Sequence, residues 1–198
     1  MLVGIDEVGR GPVAGPVVLC GVAFPASFPD TLTSRLNDSK KLSRKRRETL
    51  SASMMENGVI HVLSEKTAQE VDTLGISECI RQCSINITKE FIRMYGVMER
   101  IHFIMDGNIN YLSTINSQTI TSENLIRGDG LVPQIMGASI IAKVYRDDLM
   151  VEFSKIHPHY DLENNKGYGS ARHMNAIREH GITPIHRKSF LKNIIGNP

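Results

Sequence analysis

The sequence has no tryptophan and only 6% aromatic residues, so its core must be built mainly from aliphatic side chains. It has three cysteines, Cys20, Cys79 and Cys83. An odd number gives no disulfide framework and fits a reducing compartment, so a cytoplasmic protein is expected. Cys79 and Cys83 are four residues apart and would share one helical face. With no second pair and no nearby histidine, packing rather than zinc is the expectation. No apolar stretch approaches the roughly 20 residues that a membrane helix needs. The N-terminus lacks the basic segment and apolar run of a secretory leader, so no membrane association is expected. The formal net charge is only +2, so total charge does not announce a nucleic-acid binder. The distribution of charge matters more than its sum. Internal repeats and low-complexity segments are absent.

What is present is an ordinary globular balance of 41% apolar and 22% charged residues over 198 positions. That suits a single domain, residues 1–198, with a substantial core. The stretch from roughly 150 to 198 is rich in loops and reads as a small C-terminal helical extension. A lone domain of this size is expected to be a monomer. Leu2–Ile5 and Val17–Phe24 read as strands, joined by a Gly/Pro turn that makes an antiparallel hairpin. Ser43 is a good N-cap for a helix through "RKRRETLSASMM". Residues 58–65 alternate as a strand. Apolar residues at Val71, Leu74, Ile80, Cys83, Ile87, Phe91 and Met94 follow helical spacing, broken near Gly75. "RIHFIMDGN" is a buried-type strand ending in an acid. A short strand is expected near "ENLIRGDG", then a long helix through "VPQIMGASIIAKVYRDDLMVEFSKI" and a short one around "SARHMNAIREHG". Strands mixed with helices make an α/β fold with a mixed sheet.

The acids carry the chemistry. Asp6 and Glu7 end one predicted strand, Asp106 ends another, and Asp129 lies just before the long helix. Acids at strand ends converge easily, because neighbouring strands lie about 4.8 Å apart. A buried unpaired carboxylate is costly. Three explanations compete: pairing with Arg or Lys, capping of helices and turns, or sharing a divalent cation. Asp106 followed by Gly-Asn is by itself a turn signal. Asp6 and Glu7 would point to opposite faces of a regular strand. Both can serve one site only if the chain bends at once, which Gly9 and Gly11 allow. Hard oxygen donors without His or Cys select Mg²⁺ or Mn²⁺ over zinc. Two such ions could activate a water and steady the leaving oxygen of a phosphodiester.

Six blocks in order, "GIDEVGRGPVAGPVV", "NDSKKLS", "IMDGN", "GASIIAKVYRD", "NKGYGSARH" and "TPIHRKSF", run from residue 4 to 190. Together they resemble bacterial ribonuclease HII, the type 2 ribonuclease H. The resemblance implies a ribonuclease H-like fold, a five-stranded mixed sheet flanked by helices with a C-terminal helical part. It implies an endonuclease that cuts the RNA strand of RNA–DNA hybrids. It also implies incision 5′ to single ribonucleotides in duplex DNA, leaving 3′-hydroxyl and 5′-phosphate ends. It assigns metal binding and catalysis to Asp6, Glu7, Asp106 and Asp129, and ribonucleotide recognition to Gly9, Arg10, Gly11 and Tyr168. The sequence departs from the family's habits at "RGDG" (127–130), at "MGASI", at Leu74-Gly75-Ile76, and in a longer stretch between Asp106 and Asp129.

The residues themselves fit these roles. Glycines let backbone approach a ligand closely, and backbone N–H groups can donate to the 2′-hydroxyl that distinguishes RNA from DNA. Tyr168 could stack on a sugar or base, or sit half-buried in its glycine turn. The densest basic run is "SKKLSRKRR", residues 39–47. Lys40 and Lys41 are the expected substrate contacts there, Ser39 either caps or touches phosphate, and part of the run from Arg44 to Arg47 must face solvent. Lys143 and Arg146 on the long helix, Lys166, and His186-Arg187-Lys188 extend the positive set. Neutralised phosphates would make binding salt-sensitive. His186 is read as a structural or phosphate contact rather than a catalytic group. Asp147 or Asp148 serves either as a supporting acid or in a helix salt bridge. A non-catalytic hybrid-binding module would lack an acid, and none is missing. A nuclease with another substrate, such as a DNA junction, is the remaining alternative.

Overall fold

The computed structural model describes residues 1–37, 39–96 and 100–192. Five strands, β1 (Leu2–Val8), β2 (Val17–Ala23), β3 (Ile60–Lys66), β4 (Ile101–Asp106) and β5 (Ile120–Leu125), form one sheet in the order β3-β2-β1-β4-β5. β1 and β2 are the expected antiparallel hairpin, β2 pairs antiparallel with β3, and β4 runs parallel to both β1 and β5. The α-helices are α1 (Asp30–Thr33), α2 (Arg44–Glu56), α3 (Ala68–Leu74), α4 (Ile76–Tyr95), α5 (Pro133–Ile156), α6 (Leu162–Asn165) and α7 (Ala171–His180).

Local chemistry sets the helix limits. Ser43 Oγ accepts the Arg46 N–H at the start of α2. Thr67 and Glu70 form a reciprocal capping box on α3. α4 stops at Gly96, whose φ of 72° suits glycine. Ile80, Cys83, Ile87 and Phe91 recur at helical spacing and bury α4 against Val3, Ile5, Phe103 and Met105. Cys79 and Cys83 are therefore core residues, as expected. The opposite face of the sheet carries Val18, Cys20 and Val22, covered by Leu50 and Met54 of α2 and by Ala138, Ile141 and Ala142 of α5.

Three boundaries differ from the sequence reading. β1 continues through Val8, so Asp6 and Glu7 lie inside the strand rather than at its end. β5 begins at Ile120 and ends at Leu125, earlier than "ENLIRGDG" suggests, and Gly128–Gly130 forms a single tight turn of helix. α5 is unbroken to Ile156, so the C-terminal segment starts after it, not near residue 150. That segment packs Tyr160, Leu162, Ala176, Ile177 and Leu191 on Met150 and on Ala14 of the β1–β2 turn. No described helix is long and apolar enough to cross a membrane.

Candidate active site

Alternation along β1 sends Val3 and Ile5 into the α4 layer and Gly4 and Asp6 toward α5. Gly4 is a glycine for a steric reason. A Cβ there would lie 2.3 Å from the Ile135 backbone nitrogen, so only glycine lets the first turn of α5 rest on β1. Asp6 is thereby enclosed, with 7% exposure. Its Oδ1 accepts the Glu7 N–H at 2.8 Å. Burial, opposed by a hydrogen bond from Ser139 and aided by repulsion from Glu7 and Asp106, pushes its carboxyl up to about 8. Ser139 Oγ in turn lies 2.8 Å from Ser39 Oγ.

The parallel register pairs Ile5 with Met105, so Asp6 and Asp106 stand one step further on, side by side on adjacent strands. Phe103 and Met105 join the α4 layer, which turns Asp106 to the same face as Asp6. Asp106 Oδ1 accepts the Gly128 N–H at 2.7 Å. Burial raises the Asp106 carboxyl, the Gly128 amide lowers it, and the charge of Asp129 raises it again. Asp129 follows in the tight turn, with Oδ2 3.5 Å from Lys40 Nζ. Glu7 leaves the opposite side of β1, yet its carboxylate stays within electrostatic reach of this group. Burial raises it, Arg10 lowers it with Nη1 at 3.6 Å, and Asp106 raises it. No three His, Cys, Asp or Glu side chains among the described residues have closed into an ion-holding cage. The four acids instead form a cluster whose members repel one another.

Beside the acids, the β1–β2 turn is held from within by two fully buried arginines. Arg187 donates through Nε and Nη2 to Gly15 O at 3.0 and 2.8 Å, through Nη2 to Gly9 O at 2.7 Å, and through Nη1 to Arg10 O at 3.2 Å. Arg146 donates to Pro16 O at 2.9 Å, Ala14 O at 3.0 Å and Lys166 O at 2.8 Å. Burial brings each guanidinium down to about 10. Across a trans peptide the N–H points away from the preceding C=O. Inward carbonyls at Gly9 and Arg10 therefore turn the N–H groups of Arg10 and Gly11 outward. Gly9, with φ of 89°, makes this reversal. Tyr168 stands next to it, half exposed, with Cε1 3.9 Å from where a Gly11 Cβ would be.

The basic residues divide into two groups. Lys40 and Lys41 are exposed, and Lys40 lies beside Asp129. Lys143 Nζ donates to Asp147 Oδ1 at 2.7 Å, Arg47 Nη2 lies 3.5 Å from Asp147, and Lys166 Nζ reaches the Asp147 carbonyl at 3.5 Å. The buried Asp147 thus gathers three cations along one edge. Arg187 and Arg146 need correcting as phosphate contacts, and for His186 the structural alternative holds. With exposures of 0%, 0% and 2%, they cannot meet a phosphate. Arg187 and Arg146 spend their donors on backbone carbonyls, and His186 bonds to His173 and Thr183. Ser39 is likewise buried against Ser139, behind Asp6 rather than on the surface. A signal for Arg146 was available. It lies four residues from both Ala142 and Met150, on the buried stripe of α5.

Comparison with known proteins agrees with this geometry. A family model described as Ribonuclease HII matches residues 3–193. The chain belongs to the ribonuclease HII family. The ribonuclease HII of Clostridium perfringens is 40% identical, over 97% of this chain and 67% of that protein. That of Clostridium tetani is also 40% identical, over 98% of this chain and 69% of that protein. Among solved structures, the ribonuclease HII in a complex with PCNA from Archaeoglobus fulgidus matches with a TM-score of 0.78 at 24% identity, covering 100% of this chain and 98% of that one. The Pyrococcus horikoshii ribonuclease H2 matches at 0.70 and 22%, covering 99% of each chain. These last two likenesses establish the ribonuclease H-like fold. As a ribonuclease HII family member the protein is a ribonuclease H, an endonuclease of the hydrolase class acting on RNA in RNA–DNA hybrids.

Proposed function

We propose that this ribonuclease HII is a divalent-cation-dependent endoribonuclease. It cuts the RNA strand of RNA–DNA hybrids and incises 5′ to ribonucleotides embedded in duplex DNA, leaving 3′-hydroxyl and 5′-phosphate ends. Residues 1–198 act as one catalytic unit, as a monomer in the cytoplasm. The observation that carries the reading is the union of two features. Asp6 and Asp106 stand together on one face, and the outward amides of the Gly9–Gly11 turn lie beside them with Tyr168.

The residues fit a hard divalent cation. Asp6, Glu7, Asp106 and Asp129 offer only oxygen donors. Asp6 is buried, its charge is disfavoured, and no Lys or Arg among the described residues pairs with it. A cation would relieve that repulsion. These four carboxylates would hold Mg²⁺ or Mn²⁺, two ions in the active complex. Among structural neighbours, a Bst ribonuclease HIII is described in complex with Mn²⁺. Bound ions would supply positive charge to lower the barrier for water attack and for departure of the leaving oxygen.

The chain's own groups do the rest. The Arg10 and Gly11 amides donate to the ribose 2′-hydroxyl or its adjoining phosphate, and Tyr168 packs on the sugar and hydrogen-bonds the 2′-hydroxyl. Arg10, drawn to Glu7, keeps this turn next to the acids. Lys40, Lys41, Lys143 and Lys166 line the path of the phosphates. Arg187, His186 and Ser39 act from behind by fixing the turn and Asp6.

One assay tests the scheme. The protein is incubated with Mg²⁺ and, separately, a duplex bearing one ribonucleotide, an RNA–DNA hybrid and an all-DNA duplex. The expected result is cutting of the first two, with a single incision 5′ to the embedded ribonucleotide. Comparable cutting of all-DNA, or of a DNA junction, would overturn the ribonucleotide reading.

A further inference from the structure

The proposed chemistry leaves two buried histidines unused, His173 in α7 and His186 in the C-terminal segment, at 0% and 2% exposure. Their Nε2 atoms are 3.0 Å apart. Backbone partners decide which protons each ring carries. The Thr183 N–H, which can only donate, reaches His186 Nδ1 at 3.0 Å. That nitrogen is therefore bare, and the proton of the neutral ring is on Nε2. The Tyr168 carbonyl, which can only accept, lies 2.9 Å from His173 Nδ1. That nitrogen carries the proton, and His173 Nε2 is bare. The two assignments meet: His186 Nε2–H donates to His173 Nε2.

A directed chain runs from the Thr183 amide through both rings to the Tyr168 carbonyl. A second proton on His186 would face the Thr183 N–H, and one on His173 would face the His186 N–H. Burial holds both rings below the usual histidine range, with His186 down to about 4 and the charge of His173 adding to its shift. The Tyr160 ring closes the site, 4.8 Å from His186.

The same segment is stitched to the recognition turn. His186 bridges Ala14, the Gly15 N–H donates to Ile185 O at 2.8 Å, and the Arg187 N–H donates to Val13 O at 2.8 Å. The other bonds of Tyr168's backbone, to Asn165 and Ser170, are local, and on its N-terminal side the Gly167 carbonyl accepts from the Val13 and Ala14 N–H groups at 2.9 and 3.2 Å. His173 adds the hold on its C-terminal side, at the Tyr168 carbonyl.

We propose that His173 is a positioning residue for 2′-hydroxyl recognition: its Nδ1–H, fixed in that tautomer by the His186 Nε2–H, holds the Tyr168 carbonyl and so keeps Tyr168 beside the Gly9–Gly11 turn. The inference rests on the reading of Tyr168 and that turn as the sugar reader.

Two substitutions separate this role from simple packing. Asparagine at 173 offers an amide donor near the former Nδ1, facing the Tyr168 carbonyl. Glutamine reaches toward His186 but not toward that carbonyl. The measurements are kcat/KM on a single-ribonucleotide duplex, affinity for the matching all-DNA duplex, and the urea midpoint. Tyr168→Ala is run beside them. Loss of one positioning hydrogen bond predicts that His173→Gln falls about tenfold in kcat/KM while His173→Asn stays within about threefold, with all-DNA affinity unchanged. Equal falls in the two variants, or no fall in either, would overturn the proposal. Should His173→Gln fail to fold, His186→Asn decides the matter. It keeps an acceptor for Thr183 and removes the donor that fixes the His173 tautomer, so it must lower kcat/KM, and native kcat/KM would overturn the proposal. Native kcat/KM in Tyr168→Ala would overturn the sugar-reader assignment and this inference together. A fall in Tyr168→Ala without an Asn–Gln difference at 173 would overturn this inference alone.

Discussion

Arg187 Nη2 lies 2.7 Å from the Gly9 carbonyl oxygen and approaches it from the protein interior. This one contact explains why a charged residue near the C-terminus bears on the first turn of the chain. By pulling the Gly9 and Arg10 carbonyls inward it leaves the next two amides facing out, beside the acids.

Arg187→Met keeps much of the volume and removes the donors. Gly9, Arg10 and Gly15 carbonyls then lose a buried partner, which costs about 3 kcal/mol or more of folding stability. Urea denaturation measures the loss. A midpoint unchanged from that of the native protein would contradict the bracing role.

The close approach of α5 to β1 depends on the missing side chain at residue 4. Gly4→Ala puts a methyl 2.3 Å from the backbone of Ile135, which cannot swing aside. The helix must shift, at about 2 kcal/mol or more, and Ser139 moves away from Asp6 with it. Gly130→Ala meets nothing within 4 Å and should leave stability within about 0.5 kcal/mol of native. Equal effects of the two substitutions would contradict the packing argument.

Much of this was legible in the sequence. The Gly/Pro turn between two apolar runs announced the β1–β2 hairpin, and helical spacing announced α4 and α5. Asp6 and Asp106 stood out because each follows an apolar run, Glu7 because it adjoins Asp6, and Asp129 because it lies just before the long helix. Other features were not legible. Alternation cannot say where a strand ends once polar residues begin, so β1 was read as stopping before Asp6. Arg146 and Arg187 read as part of a substrate-facing positive set because charged residues are seldom buried. Only the folded turn, with its carbonyls aimed inward, supplies the acceptors that make their burial tolerable. Ser39 is similar: its partner Ser139 is 100 residues away.

The histidine pair gives the protein a pH dependence with a defined sign. Unfolded, His186 titrates near 6.5. Folded, burial and the facing His173 and His157 bring it down to about 4. Between those values the unfolded chain binds protons that the native one refuses. The stability this provides is whole above about pH 6.5 and is lost as pH falls toward 4. Urea midpoints at pH 7 and pH 5 should therefore fall more for the native protein than for His186→Asn. The raised carboxyl of Asp6 acts in the opposite direction but equally in both proteins, so the difference isolates the histidine. Equal falls would contradict the assignment.

Lys41 is exposed, next in the chain to Lys40 beside Asp129, and Arg187 is buried behind the turn. Lys41→Ala should weaken hybrid binding and lower the slope of log affinity against log salt by about 1, the signature of one lost phosphate contact. Affinities measured across a salt series give that slope. An unchanged slope would remove Lys41 from the phosphate path.

The central claim is that the carboxylate cluster around Asp6 and Asp106 performs the cutting. Asp6→Asn keeps the shape of the side chain and removes its charge. The decisive measurement is cleavage of a single-ribonucleotide duplex in Mg²⁺ by this variant, at concentrations where it still binds hybrid. The prediction is that the native protein incises once, 5′ to the ribonucleotide, while Asp6→Asn yields no product above background. Turnover by Asp6→Asn at the native rate would contradict the account.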